Sequence, residues 1–246
     1  MNCLILAAGH GSRLRAMGES KPLVAVAGRP LVEHVVRSAA AAGATRFTVV
    51  TGNEAEPVEA LLEELAARIG QEIATVRLKD WDRPNGHSVV AGAERIEGDY
   101  LLMMADHLFD PAIARRLIKA PPIDGVRLAV DRELDNELVD LDDVTKVETD
   151  ASGTILKIGK QLESYDAFDT GLFRASAALR PAILEAIAEG RPGSLSDGVQ
   201  RLADERRAAT IDVSGSFWID VDDPKSHALA EAHLVAGREG PDRAST

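Results

Sequence analysis

Cysteine occurs once in the 246 residues, as Cys3. An internal disulfide and a cysteine-based metal cluster are therefore excluded, and a single thiol in an apolar run reads as a small core residue in a reducing compartment. Long hydrophobic runs are also missing, so no stretch reaches the roughly 20 residues of a membrane span. The first strand-like run begins directly at the N-terminus and leaves no signal peptide, so a cytoplasmic protein is expected. Positive charge is scarce: 40 Asp and Glu stand against 28 Lys and Arg, a net charge of −12. That balance argues against non-specific nucleic-acid binding. Two common phosphate-binding patterns are absent as well. There is no GxxxxGK[ST], and GxGxxG fails because Leu14 stands where the third glycine belongs. Nor do the residues offer a defensible Ser/His/Asp or Cys/His arrangement for nucleophilic catalysis.

What is present is concentrated in Leu6-Ala7-Ala8-Gly9-His10-Gly11-Ser12-Arg13, followed by Lys21-Pro22. An apolar strand (Cys3 to Leu6) stops at two small residues and turns sharply on two glycines. Glycine admits backbone conformations other residues resist and lets amide N–H groups approach a ligand closely. Successive amides in such a turn form a concave anion site. Arg13 adds a guanidinium fork suited to phosphate oxygens, and Lys21 adds a point charge. The stretch reads as a loop that holds a triphosphate, with Arg13 and Lys21 as its catalytic cations and Leu6, Ala7, Ala8, Gly9, Gly11 and Ser12 around the nucleotide. An acidic protein handling a triphosphate also needs a divalent metal, and Mg²⁺ is expected.

Strand and helix patterns then alternate. Residues 30–42 have helical spacing between Pro30 and Gly43, residues 56–69 form a second amphipathic helix closed by Gly70, and residues 88–95 look helical. Strands are expected at 47–52, 73–78, 100–105 and 126–130. Further helices are expected at 175–188, 196–205 and 225–235, and a strand at 210–213. Alternation of this kind implies an α/β fold, Rossmann-like, with a mostly parallel sheet flanked by helices. Residues 144–147 and 155–160 alternate across a turn and signal a hairpin, expected as a small antiparallel insertion covering the site. A single domain over residues 1–236 is expected, with a flexible tail at 237–246.

In such sheets ligands gather at the carboxyl ends of strands. Asp106 follows the buried strand at 100–105, and Mg²⁺ takes one or two carboxylates plus substrate phosphates. The better helix cap nearby is Asp110-Pro111, which leaves Asp106 for the metal. His107 is a neighbour of that site or a bystander. Trp218-Ile219-Asp220-Val221-Asp222-Asp223 runs from apolar residues into three aspartates. Asp223-Pro224 caps the next helix, so Asp220 or Asp222 supplies the second carboxylate. Asn85-Gly86-His87-Ser88 is either a plain turn or a loop against the nucleotide base, with Asn85, Gly86 and Ser88 as contacts. Asp169 either accepts hydrogen bonds from substrate hydroxyls or shapes a turn. Residues 134–143 read as a solvated acidic face, and Lys146 and Lys160 as exposed lysines.

The loop LAAGHGSRL with its downstream Lys-Pro resembles the signature of the sugar-nucleotidyltransferase superfamily. Further segments narrow the likeness: Asn85-Gly86-x-Ser88, Asp106-His107, Asp140-Leu141-Asp142-Asp143-Val144-Thr145-Lys146-Val147, Ile158-Gly159-Lys160, Tyr165 to Gly171, and Trp218 to Asp222. Together they resemble the CTP:L-myo-inositol-1-phosphate cytidylyltransferases over essentially the whole length. That resemblance implies a nucleotide-diphospho-sugar transferase fold and a cytidylyltransferase making a CDP-alcohol and pyrophosphate from CTP and a phosphorylated alcohol. It implies Arg13 and Lys21 on the phosphates, Asp106 and Asp220 on Mg²⁺, and Lys146 and Lys160 near the acceptor phosphate. Some archaeal relatives fuse this domain to a membrane-bound alcohol phosphotransferase. No such segment is present here, so a downstream transferase is expected to be a separate protein. Another nucleoside triphosphate with a sugar 1-phosphate, phosphocholine as acceptor, and a catalytically silent nucleotide-binding relative remain open. The oligomeric state is open too.

Overall fold

The strand that feeds the glycine loop lies in the middle of the sheet, buried on both faces. The computed structural model describes residues 1–9, 11–14 and 20–239, the side chains of Ser12, Arg238 and Glu239 excepted. In chain order, β1 (Asn2–Ala7) leads through 3-10 turns at Ser12–Leu14 and Lys21–Leu23 into a two-residue ribbon, β2 (Ala25–Val26) and β3 (Arg29–Pro30). Then come α1 (Leu31–Ala42), β4 (Arg46–Thr51), α2 (Ala55–Ile69), β5 (Glu72–Arg77), α3 (Gly86–Ala93), β6 (Tyr100–Met104), β7 (His107–Phe109) and α4 (Pro111–Lys119). The second half holds β8 (Val126–Asp131), β9 (Lys146–Thr149), β10 (Ile155–Gly159), β11 (Ala167–Ala175), α5 (Leu179–Ala188), α6 (Leu195–Asp204), β12 (Ala208–Asp212), β13 (Trp218–Asp220) and α7 (Pro224–Glu239).

The nine-stranded sheet runs β10-β9-β11-β6-β1-β4-β5, with β8 paired to β11 and β12 to β8. The block β6-β1-β4-β5 is parallel. The chain builds outward from β1 through β4 to β5, then returns to place β6 on the other side of β1. The strand order therefore reverses beside β1, and the crevice outside the carboxyl ends of β1 and β6 is where such sheets bind ligands. The glycine loop and Asp106 both lie there.

Side chains on β1 alternate between two cores. Cys3, Ile5 and Ala7 join the α1, α2 and α4 side, while Leu4, Leu6 and Ala8 join the α3, α5 and α6 side. A strand covered on both faces has no polar alternation, which is why it reads as a continuous apolar run. The helix α1 buries Leu31, Val32, Val35, Val36 and Ala39, and Gly43 ends it in the left-handed conformation (φ +114°).

The hairpin β9–β10 is antiparallel as expected, and it joins the main sheet through β11. Two helix bounds are corrected. Ala167–Ala175 form the nine-residue β11, which pairs with β6, β8 and β9 at once. It takes Ala175 from the helix expected at 175–188, so that helix starts at Leu179. Helix α7 continues past Val235 through Gly237 to Glu239, because one glycine within a helix is tolerated at a cost of about 1 kcal/mol. The remainder of the expected tail, 240–246, lies outside the described residues. Among the described residues no helix is long and apolar enough to cross a membrane.

Candidate active site

Among the described residues, three cations and four carboxylates converge at the carboxyl ends of β1 and β6. After β1 the chain turns at Gly9 and Gly11. Gly11 sits at φ +58°, and a Cβ there would stand 2.3 Å from the Lys21 Cβ. The glycine thus permits both the left-handed turn and the seating of Lys21 against it. Lys21 opens its own 3-10 turn, with Pro22 in its first turn, and is buried. Its Nζ lies 2.5 Å from Asp106 Oδ2 and 3.7 Å from Asp220 Oδ1, and it also contacts Asp222. Arg13 reaches Asp222 and lies 2.5 Å from Asp143 Oδ2. Lys160, just past β10, pairs with the other oxygen of Asp143.

The carboxylates come from separate elements. Asp106 follows β6 and takes no part in capping α4, where Asp110 accepts from Ala112 N at 2.7 Å. Asp220 ends β13, which pairs antiparallel with β7 so that Asp220 lies opposite His107. Asp222 follows, and Asp223 caps α7 by accepting from Ser226 N at 2.7 Å. The His107 Nδ1 is 2.8 Å from Asp106 Oδ1 and 3.7 Å from Asp220 Oδ1.

The electrostatics separate the two nearest carboxylates. Burial disfavours ionisation of Asp106, but Lys21 and His107 outweigh it and hold its pKa well below the usual carboxylate range. Asp220 is pushed up by burial, with the Asp106 charge adding to the rise. Burial pulls His107 down, but Asp220 and Asp106 push it up to about 9. Asp169 is raised to about 6 by burial.

Two cavities meet here. One, of about 200 Å³, is bounded by Leu6, Ala7, Gly9, Gly11, Arg13 and Lys21. The other, of about 250 Å³, is bounded by Asn85, Lys160, Asp169, Trp218 and Asp220, among others. Asp106 and Asp222 line both.

The sequence-derived residues divide accordingly. Arg13, Lys21, Asp106, Asp220 and Asp222 come together, and Asn85, Lys160 and Asp169 line the second cavity. Asn85 Oδ1 accepts from Leu195 N at 2.8 Å, tying the start of α3 to α6. Gly86 packs on the backbone of residues 193–194, where a Cβ would stand 2.3 Å from Gly193 O, and Ser88 is buried within α3. Neither Gly86 nor Ser88 lines either cavity, and Ala8 is buried in the core below the loop. Lys146 stands over the Tyr165 ring, 5.4 Å from its centroid, and also lines neither cavity. The Ser12 side chain lies outside the described residues.

The acidic stretch is largely exposed, as expected, and it also forms a wall of the second cavity, contributing Leu138, Val139, Asp140 and Asp143. Its anchor is Asp131, which is buried and accepts from Trp218 Nε1 (2.9 Å), Asn136 Nδ2 (2.8 Å) and Glu133 N (2.9 Å). Composition hid this, because acidic loops of either kind look alike. The Asp143-Val144-Thr145-Lys146 segment beside it was the available signal.

A cation-bearing glycine loop at the reversal of a parallel sheet, facing paired carboxylates, defines a nucleotide-handling α/β protein. The chain belongs to the MobA-like NTP transferase domain family, whose profile matches residues 3–197. Over 235 residues it is 32% identical to the "Bifunctional IPC transferase and DIPP synthase" of Aquifex aeolicus, covering 94% of this chain and 51% of that protein. It is 35% identical over 246 residues to the protein of the same name from Rubrobacter xylanophilus, covering 96% of this chain and 53% of that one. The chain thus spans about half the length of these relatives. Its fold resembles that of the inositol-1-phosphate CTP transferase from T. maritima, with a TM-score of 0.85 at 24% identity, over 97% of this chain and 96% of the other.

Proposed function

We propose that this chain is a cytidylyltransferase that joins CTP and a phosphorylated alcohol, inositol 1-phosphate foremost, into a CDP-alcohol and pyrophosphate. The observation that carries the reading is the meeting of the two cavities at Asp106 and Asp222. One cavity has the cations and glycine turn suited to a triphosphate. The other has a lysine and hydrogen-bond acceptors suited to a phosphorylated polyol. The names of the relatives support the choice of acceptor and donor.

In this reading an acceptor phosphate oxygen attacks the α-phosphorus of CTP in line. The bond from that phosphorus to the oxygen bridging the β-phosphate breaks, and pyrophosphate leaves with the electron pair. A phosphate monoester is nucleophilic near neutral pH, so no general base is required. Catalysis then rests on positioning and on neutralising charge. Arg13 and Lys21 would leave their carboxylate partners for the triphosphate and stabilise the departing pyrophosphate. Lys160 would hold the acceptor phosphate, and Asp169 would accept from an acceptor hydroxyl. Asn85 would face the nucleotide.

The residues fit a divalent metal. Asp106, His107 and Asp220 each offer a donor atom within 4.8 Å of the others, and Asp220 Oδ1 is buried with no hydrogen-bond partner. Hard carboxylate oxygens suit Mg²⁺, so Asp106 and Asp220 would hold it, with Asp222 the alternative to Asp220. When bound, Mg²⁺ would offset negative charge on the phosphates. The single buried thiol, Cys3, is consistent with a cytoplasmic setting.

The test is pyrophosphate release in Mg²⁺ from a panel of CTP, UTP, GTP, dTTP and ATP against inositol 1-phosphate, glucose 1-phosphate and phosphocholine. Release confined to CTP with inositol 1-phosphate is expected. Release with another pair would reject the substrate assignment, and nucleotide binding with no release across the panel would support a silent relative.

A further inference from the structure

We propose that His107 is a positioning residue that orients the Asp106 carboxylate beside Asp220. The proposal rests on the reading of that pair as the metal carboxylates.

Asp106 has both oxygens engaged, by different kinds of partner. Oδ2 faces Lys21 Nζ at 2.5 Å, and Oδ1 faces His107 Nδ1 at 2.8 Å. Lys21 sits on a long side chain at the border of the triphosphate cavity, so its contact is exchangeable. The His107 contact comes from a short side chain: His107 opens β7 directly opposite Asp220 in the β7–β13 ribbon, and its Nδ1, bonded to Asp106, lies 3.7 Å from Asp220 Oδ1, within ion-pair range but beyond a hydrogen bond. Its ring also fills the space a side chain at position 171 would need. A Cβ on Gly171 would stand 2.3 Å from the ring Cδ2 and 2.7 Å from Nε2. Gly171 lies at φ +77°, where the β11–β8 register shifts between Asp169 and Phe173. The bulge and the absence of a side chain at Gly171 leave the ring its room beside Asp106.

A division of labour follows. When Lys21 is displaced from Asp106 Oδ2, by an incoming cation or by turning to a phosphate, that oxygen can take the cation, while His107 on Oδ1 keeps the carboxylate plane where it was. A hydrogen-bonded partner behind a ligating carboxylate acts in this way, and its loss typically weakens metal affinity 10- to 100-fold.

The experiment titrates Mn²⁺ into the nucleotide-free protein, following the free-ion EPR signal, for wild type, His107→Phe, His107→Asn and Asp106→Ala. Phenylalanine keeps a ring against Gly171 but donates nothing. Asparagine returns a donor near the Nδ1 position. His107→Phe should keep its folded circular-dichroism spectrum and bind Mn²⁺ about 10- to 100-fold more weakly, and His107→Asn should recover most of that loss. In turnover, His107→Phe should show the deficit as a raised half-saturating Mg²⁺ concentration. Wild-type Mn²⁺ affinity in His107→Phe would overturn the proposal, as would an Asn variant as weak as the Phe variant. If the Phe variant fails to fold, the Asn variant decides alone: near wild-type affinity supports the proposal and a tenfold loss rejects it. Wild-type affinity in Asp106→Ala would instead reject the underlying metal assignment.

Discussion

The Asp143 carboxylate, on the loop before β9, lies 2.5 Å from the Arg13 guanidinium on the loop after β1. With Lys160 on its other oxygen, Asp143 clasps the phosphate side of the site to the acceptor side. It thereby competes with any triphosphate for Arg13.

Releasing that clasp should therefore help nucleotide binding. The Arg13 side chain is 49% exposed, and pairs this open are worth about 1 kcal/mol or less. Asp143→Asn should tighten CTP binding by about 2- to 5-fold, read by calorimetric titration. Weaker binding would mean that Asp143 helps to hold the nucleotide.

Lys21 carries more of the account. Lys21→Met removes the buried cation among Asp106, Asp220 and Asp222. Removing one donor from a preorganised charge-stabilising site costs about 10²–10³ in kcat, and that loss is expected in steady-state pyrophosphate release. Three carboxylates left without their shared lysine should also lower the melting temperature, so the variant must be assayed well below it.

Gly11→Ala tests the turn itself. The added methyl meets Lys21 at 2.3 Å and the backbone is at φ +58°, so Lys21 must move. Activity should fall by at least tenfold while stability drops by about 1–2 kcal/mol, the cost of a left-handed non-glycine residue. A variant with wild-type kcat would show that Lys21 need not sit against residue 11.

The anchor of the cavity wall is a separate matter. Asp131→Ala strips the partner from the Trp218 indole, the Asn136 amide and the Glu133 N–H. Leaving buried donors unsatisfied costs about 1–3 kcal/mol each where water cannot replace the partner. Urea unfolding should show a loss of at least that size, and KM for the acceptor should rise because residues 138–143 lose their support.

Asp169 adds a pH signature. Its folded value of about 6 stands above the ordinary 3.8, so the folded state binds the extra proton. Its contribution to stability is present below pH 3.8 and is lost as pH rises through about 6. Asp169→Asn should remove that dependence, so the difference in urea midpoint between variant and wild type should change across this window and flatten above it.

These residues differ in how far the sequence discloses them. Arg13, Lys21 and Asp106 were legible because each follows a strand or turn whose local pattern fixes its place on the sheet rim. Asp220 and Asp222 were legible only as a pair, since the β13–β7 pairing that sets Asp220 opposite His107 is a long-range contact. The stretch at 134–143 is exposed in large part as read, but the second role of 138–143 as a cavity wall was hidden, because what holds it is the distant Asp131–Trp218 bond. His107 stayed undecided because its role depends on the room left at Gly171. Lys146 was drawn toward the acceptor by likeness alone, and the fold turns it onto Tyr165. The hairpin was visible from alternation, but its merger with the main sheet depends on β11 being long enough to pair three strands.

The most direct test follows the α-phosphate. CTP labelled with ³²P at that position is incubated with inositol 1-phosphate, Mg²⁺ and the protein, and the products are separated. The label should appear in a CDP-alcohol whose formation matches unlabelled pyrophosphate one for one. Label confined to CMP, or retained in the nucleotide while the acceptor gains an unlabelled phosphate, would contradict attack by the acceptor phosphate on the α-phosphorus.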